Sequence, residues 1–414
     1  MTDMAGTVPV IAVDKVQAVA LAVCTYYFGV WLKGKVGVLS RYSIPSPVVG
    51  GMSFAIVVSF LEYFNIVKVQ IDSTLQTVLM LGFFTTIGLM ASLRVVKDGG
   101  RLLLGFLLAV TVLVFLQNGM GMAIAEAMGF DKHYGILAGS VSMMGGLGTA
   151  AAFGPYFEET YGITGGTAVA VTAATFGMVA ALLIGGPFGE WCIRRYKVKT
   201  PDEVQQPEPE LHLPDDMDTD ITEQHASAKP NFTNEIMRAV SVTALAMGLG
   251  TIVSNFLGHY ITLPAYIGAM IIATIIRNVG DFSGMYKVEG KGLNAVADIT
   301  LVLFVTMAIN NLKLHELVHL ALPLVVILAC QTILMLIYAW TVLFTAFGRS
   351  YDAVMLSVGG IGFSMGATAN GLANMQAISE KYGSSPRAWL IVSVVGAFLI
   401  DLINAVVITW FGTL

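Results

Sequence analysis

The sequence predicts an all-α polytopic membrane protein built from two inverted repeats of five transmembrane helices, each with a re-entrant helical hairpin. Three observations predict it. The chain has 414 residues, of which 56% are hydrophobic and only 12% charged. Soluble domains carry about 25% charged residues. Apolar runs recur in one order before and after a single polar interruption. A glycine-rich or small-residue stretch breaks an apolar region at the same place in each half.

A bilayer-crossing helix needs about 20 mostly apolar residues. The first half offers such runs near 16–39, 47–64, 73–93, 101–129 and 165–192. The second offers 235–258, 263–277, 295–312, 317–347 and 387–411. Residues 1–14 show no basic n-region and no cleavage pattern, so the first run reads as a retained helix. Residues 197–233 hold five prolines and nine acids. Such a segment buries almost nothing and is expected to be a disordered linker. The expected organisation is a first repeat over 1–196, the linker over 197–233, and a second repeat over 234–414.

The halves also match in detail. "GGLGTAAAFGPYFEETYG" (145–162) aligns without a gap on "GATANGLANMQAISEKYG" (366–383), and "IPSPVVGGMSFAIVV" (44–58) resembles "ITLPAYIGAMIIATI" (261–275). Repeats with an odd number of spans insert in opposite senses. The basic residues agree with that. With the N-terminus outside, all 22 lysines and arginines except Lys15, Lys68, Lys132 and Lys313 fall on the inner face. Both termini are therefore expected outside, with the acidic linker in the cytoplasm.

Residues 134–161 are too few for two crossings and too apolar for a surface loop. Two helical arms of about 13 residues each would reach roughly 20 Å and return. A re-entrant hairpin is expected there, with its tip at 145–149. A second is expected at 352–382, with its tip near 364–370. Irregular backbone at such depth must be buried in protein or line a cavity, so the tips should meet. Each returning helix would begin there with free N–H groups and a partial positive charge. Thr149 and Asn370 occupy equivalent places and are good N-cap types. Two such helix starts can receive a carboxylate without a buried basic residue. Gly146, Gly148, Thr149 and Ala150 are the candidates for one carboxylate. Gly366, Ala367, Thr368 and Asn370 are the candidates for the other, or for ions. Free carbonyls of the arriving arm, Gly145 among them, are candidate Na⁺ ligands.

Asp401 is an acid well inside a span, a costly placement that usually serves function. It is a candidate for a substrate ammonium group or for Na⁺, and Asn404 shares its helix face. Thr86, in the run Thr85-Thr86-Ile87-Gly88, and Asn310-Asn311 are further Na⁺ candidates or helix-break positions. Gln117 and Asn118 read as packing polar groups. Cys24, Cys192 and Cys330 show no disulfide or metal spacing, and the six histidines sit in loops or at span ends. Nothing suggests nucleic-acid binding. One buried acid without a paired acid, a serine–lysine pair or a histidine cluster argues against an intramembrane enzyme. The residues alone imply a carrier of a small anion, with a cation.

"AGSVSMMGGLGTAAAFG", "TAATFGMVAALLIGGP" (172–187), "GFSMGATANGLANM" (362–375) and "VGAFLIDLINA" resemble the bacterial sodium/glutamate symporters. The likeness runs along most of both halves. The chain departs from the family pattern at Leu147, where histidine often stands, and at Ala369-Asn370, where proline-threonine often stands. The resemblance implies a homodimer, hairpins in both halves, and Na⁺-coupled uptake of L-glutamate or a close acidic amino acid. It also implies an elevator-type motion. A Na⁺-coupled di- or tricarboxylate carrier on the same architecture, or a Na⁺/H⁺ antiporter using Asp401, stands as the alternative.

Overall fold

The computed structural model describes residues 9–37, 39, 44–201, 232–257, 265–284, 286, 290–313 and 319–414. Most of the expected linker, residues 202–231, and Pro264 of the second aligned pair lie outside the described residues. The described chain is almost wholly helical. In order come α1 (Lys15–Lys35), α2 (Ser46–Tyr63), α3 (Thr74–Met90), α4 (Leu93–Ala127) and α5 (Lys132–Ile136). A π-helical stretch, Leu137–Val141, continues α5. Then follow α6 (Gly146–Tyr161), α7 (Gly166–Tyr196), α8 (Phe232–Leu257), α9 (Ala265–Ser283) and α10 (Lys291–Asn310). The chain ends with α11 (Ala321–Tyr338), α12 (Tyr351–Ser364), α13 (Thr368–Tyr382), α14 (Pro386–Val394) and α15 (Ile400–Gly412). Two π-helical stretches, Ala339–Ala346 and Val395–Leu399, extend α11 and join α14 to α15.

Among the described residues, eight helices are long and apolar enough to cross a membrane. The protein is thus a multi-pass α-helical membrane protein. Two of the ten expected spans fall short of that measure. α3 is apolar but has only 17 residues. α9 has 19 residues and carries Arg277 and Asp281, which pair at 3.0 Å. The expected span at 101–129 starts earlier and is broken. Gly100, at φ +64° and ψ −157°, separates a short leading helix from the apolar one. A residue without Cβ adopts that conformation at low cost.

One element lies outside an all-helical expectation. Val10–Val13 and Lys68–Ile71 form a two-stranded parallel sheet with Val10 opposite Lys68 and Val13 opposite Ile71. It ties the segment before α1 to the connection between α2 and α3. The chain therefore returns to the same side after α1 and α2.

The helices sort into two packing groups. α1, α2, α3, α8, α9 and α10 pack mainly on one another. α4 to α7 and α11 to α15 form the other group. Each group draws on both halves of the chain. Tyr266 of α9 stacks on Phe84 of α3 at 4.6 Å within the first group and, across the boundary, meets Phe153 of α6 edge-on at 5.4 Å. α12 is buried along its whole length except at Asp352. A helix apolar on every side belongs inside a protein.

Candidate functional site

The second expected tip is an interruption of helix, at Met365–Ala367, whereas the first break lies at 142–145, earlier than the expected 145–149, because the positive φ of Gly146 already starts α6 there. α6 begins with Gly145 as N-cap residue and α13 with Ala367, and neither has a side-chain cap. The first-turn N–H groups of both helices are thus free of capping side chains. The two interruptions touch. Gly146 has φ +62°, and a Cβ there would run into the carbonyl oxygen of Gly366. Only glycine meets both conditions without strain.

The neighbouring candidates fall around this contact. A Cβ on Gly148 would lie 3.0 Å from the ring of Phe83, across the boundary in α3. Thr149 is 5% exposed and Ala150 is fully buried. Thr149 and Asn370 are not the N-caps. The positive φ at Gly146 and the extended backbone of Ala367 start each helix earlier, which places both residues inside the first turns. Their side chains are free for other partners. Asn370 Nδ2 donates to Met178 O at 2.8 Å, and Thr368 Oγ1 donates to Gly396 O at 2.5 Å. The Thr149 side chain folds over Gly145.

Asp401 and Asn404 lie on α15. Asn404 is 1% exposed and donates from Nδ2 to Ser140 O at 3.1 Å, just before the first interruption. Asp401, one turn earlier, is half-buried and forms no hydrogen bond or ion pair among the described residues. The other Na⁺ candidates are not gathered at the tips. Thr86 Oγ1 donates to Phe83 O of its own helix at 2.7 Å. Asn310 Nδ2 donates to Thr25 Oγ1 of α1 at 3.1 Å. Asn311 Nδ2 lies 3.4 Å from Gln76 Oε1. Asn311 and Gln76 line a cavity of about 230 Å³, with Glu158, Thr167 and Lys313 also on its wall. Among the described residues, no group of three or more His, Cys, Asp or Glu side chains could hold a metal ion.

Gln117 and Asn118, read from sequence as packing groups, bond to the helical residues that lead into the interruptions. Gln117 Nε2 donates to Ser364 O at 2.9 Å, and Asn118 Oδ1 accepts from Ser140 N at 2.9 Å. The available signal was two adjacent amides in the middle of an apolar span. Each needs a partner away from its own helix.

Fold and site together define a polytopic α-helical membrane protein with two helix interruptions meeting inside the bundle. Comparison with known proteins makes the class specific. Residues 11–384 match the family described as sodium/glutamate symporter. The sodium/glutamate symporter of Escherichia coli (strain K12) is 37% identical over 400 residues, covering 95% of this chain and 96% of that one. That of Shigella flexneri matches to the same extent. That of Haemophilus influenzae (strain ATCC 51907 / DSM 11121 / KW20 / Rd) is 35% identical over 395 residues, covering 94% and 95%. The chain belongs to the sodium/glutamate symporter family, a family of transporters and not an enzyme class.

Proposed function

We propose that this protein is a secondary active transporter that couples uptake of L-glutamate, or a close acidic amino acid, to Na⁺. The observation that carries the reading is the contact of Gly146 with Gly366. It brings two uncapped helix starts to one buried place. Their N–H groups and dipoles favour a carboxylate there. Family membership and the names of the relatives support glutamate and Na⁺ as the cargo.

The same reading extends to architecture. α5 with α6, and α12 with α13, are taken as re-entrant hairpins in inverted repeats. α12 has 14 residues, a length of about 21 Å against a hydrocarbon core of about 30 Å. Gly146, Gly148, Thr149 and Ala150 hold one carboxylate. Gly366, Ala367, Thr368 and Asn370 hold the other. Asp401 meets the substrate ammonium group or Na⁺. The hairpin-bearing packing group moves as an elevator against the group containing α1 and α8, which forms the homodimer. Both termini face outward from the inner membrane, and the linker faces the cytoplasm. Bound together, ion and anion offset each other's charge and lower the penalty of passing through a low-dielectric barrier.

The test is uptake of labelled glutamate by liposomes containing the full-length protein. Uptake is expected with an inward Na⁺ gradient and not in choline medium. Equal rates in both would remove Na⁺ coupling. Competition by citrate or malate stronger than by glutamate would shift the substrate to di- or tricarboxylates. Asp401→Asn is expected to lose transport at normal membrane insertion. A Na⁺-driven change in lumenal pH without amino acid would favour an antiporter instead.

A further inference from the structure

We propose that one Na⁺-sized hard cation is held by a buried polar strip joining the ends of the two inbound arms, with oxygens from Ser140, Ser364, Gln117, Gln331 and Asn404. The inference rests on the Na⁺-coupled reading above and names where the ion sits. All five residues are at most 1% exposed. Hydrogen bonds link them in two runs, which meet at the adjacent residues Gln117 and Asn118. Gln331 Nε2 donates to Gln117 O at 2.8 Å, and Gln117 Nε2 to Ser364 O at 2.9 Å. The adjacent Asn118 accepts from Ser140 N, and Ser140 O accepts from Asn404. Ser364 is the last residue of α12, and Ser140 lies in the π-helical stretch that ends the first arm.

After these bonds form, one oxygen on each side chain remains without a partner. They are Gln117 Oε1, Gln331 Oε1, Asn404 Oδ1, Ser140 Oγ and Ser364 Oγ. A buried acceptor left unpaired destabilises a fold. Five on one connected strip is a concentration that lipid-embedded packing does not explain, since lone amides in such bundles find partners. Asn118 Nδ2 is also unpaired, but it is a donor and takes no part in holding a cation.

The chemistry of the strip selects the ion. Neutral amide and hydroxyl oxygens suit a hard cation and not a soft metal, which wants thiolate or imidazole. A divalent ion would call for several carboxylates. One acid, Asp401, stands a turn from Asn404, which matches a single positive charge. The strip lies at the ends of the arriving arms, whereas the uncapped N–H groups begin the departing ones. A cation on one side of the Gly146–Gly366 contact therefore fixes the geometry that the anion needs on the other. Each ligand then raises the affinity of the other by the same factor.

The test uses Ser140→Ala with Ser364→Ala in the full-length protein. Neither hydroxyl oxygen has a partner, so the pair of substitutions should fold at least as well as the parent in choline chloride. Thermal unfolding is followed against NaCl at constant ionic strength, without substrate. The parent is expected to gain stability with Na⁺. The double variant is expected to need about tenfold more Na⁺ for the same gain, the loss typical of ligands that contact a charge. Asn404→Leu should shift the midpoint in the same direction. An unchanged Na⁺ midpoint in the double variant, beside a clear response of the parent, would overturn the site and leave Na⁺ coupling standing. No response of the parent, together with Na⁺-independent glutamate uptake, would overturn the coupled reading and the site with it.

Discussion

The two interrupted regions, 132–161 and 351–382, reach the same contact by different local means. The inbound arm of the first is a five-residue α-helix that turns π-helical, with Gly139 off the helical path at φ −89° and ψ −130°. The inbound arm of the second is a regular helix of 14 residues whose N-cap, Ser350, accepts from Ala353 N at 3.2 Å. The first tip is made by backbone freedom, in "GGLGT". The second is made by side-chain anchors, with Thr368 bonded to Gly396 O and Asn370 to Met178 O. Their ends away from the break are held differently too. His133 stacks on Tyr161 at 4.1 Å in the first, while Ser385 Oγ donates to Asp352 Oδ1 at 2.6 Å in the second. Aligned segments of one chain can thus keep a shared geometry while exchanging glycine for hydrogen bonds.

This comparison breaks most severely at Gly146. Gly146→Val forces a β-branched residue to positive φ and drives its Cβ into a backbone carbonyl that cannot rotate away. The combined strain is about 3 kcal/mol or more. Uptake should fall to background and thermal unfolding should come earlier. Retention of parental uptake would mean that the two tips do not meet as described. Asn370→Leu comes next. It removes the buried bond from Asn370 Nδ2 to Met178 O and places an apolar branched side chain in its stead, at a penalty of about 1–1.5 kcal/mol. The melting temperature should drop, and transport should suffer more than at any equally buried leucine-lined position of α11. Thr368→Val removes one donor to Gly396 O and should lower stability by about 1 kcal/mol, read from chemical denaturation. The smallest effect is expected where the second region meets α7 at the surface. Lys381 Nζ lies 2.6 Å from Glu190 Oε1, but the side chains are 48% and 35% exposed. Lys381→Ala should change stability by less than about 1 kcal/mol. A larger loss, persisting at high salt, would show that this end of α13 is held more tightly than a surface pair allows.

The two helix breaks were legible because they are written in local residue types. "GGLGT" and "GATAN" mark backbone breaks whatever surrounds them, and Asp401 stands out in any apolar span. The N-cap assignments failed because the exact start of each helix depends on φ at Gly146 and Ala367. Those angles are set by the opposing tip and not by propensity. Gln117 was read only as a packing group and Gln331 was not singled out, because a mid-span amide looks alike whether it packs or lies beside a break. Their partners lie 247 and 214 positions away in sequence. Asn310 and Asn311 looked equivalent to Thr86 by spacing, but the fold places Asn310 against α1 and Asn311 beside Gln76.

By itself the sequence determined that this chain is a helical membrane protein with paired interruptions in matching places. Hydrophobic run length and glycine are strictly local facts, and a bilayer leaves few ways to satisfy them. Tertiary structure alone decided that the helices mix the two halves into two packing groups. It alone decided that Gly146 lies on Gly366 and that five unpaired oxygens share one strip. Those are long-range pairings between apolar surfaces of similar composition, where close fit selects the partner and no residue pattern announces it.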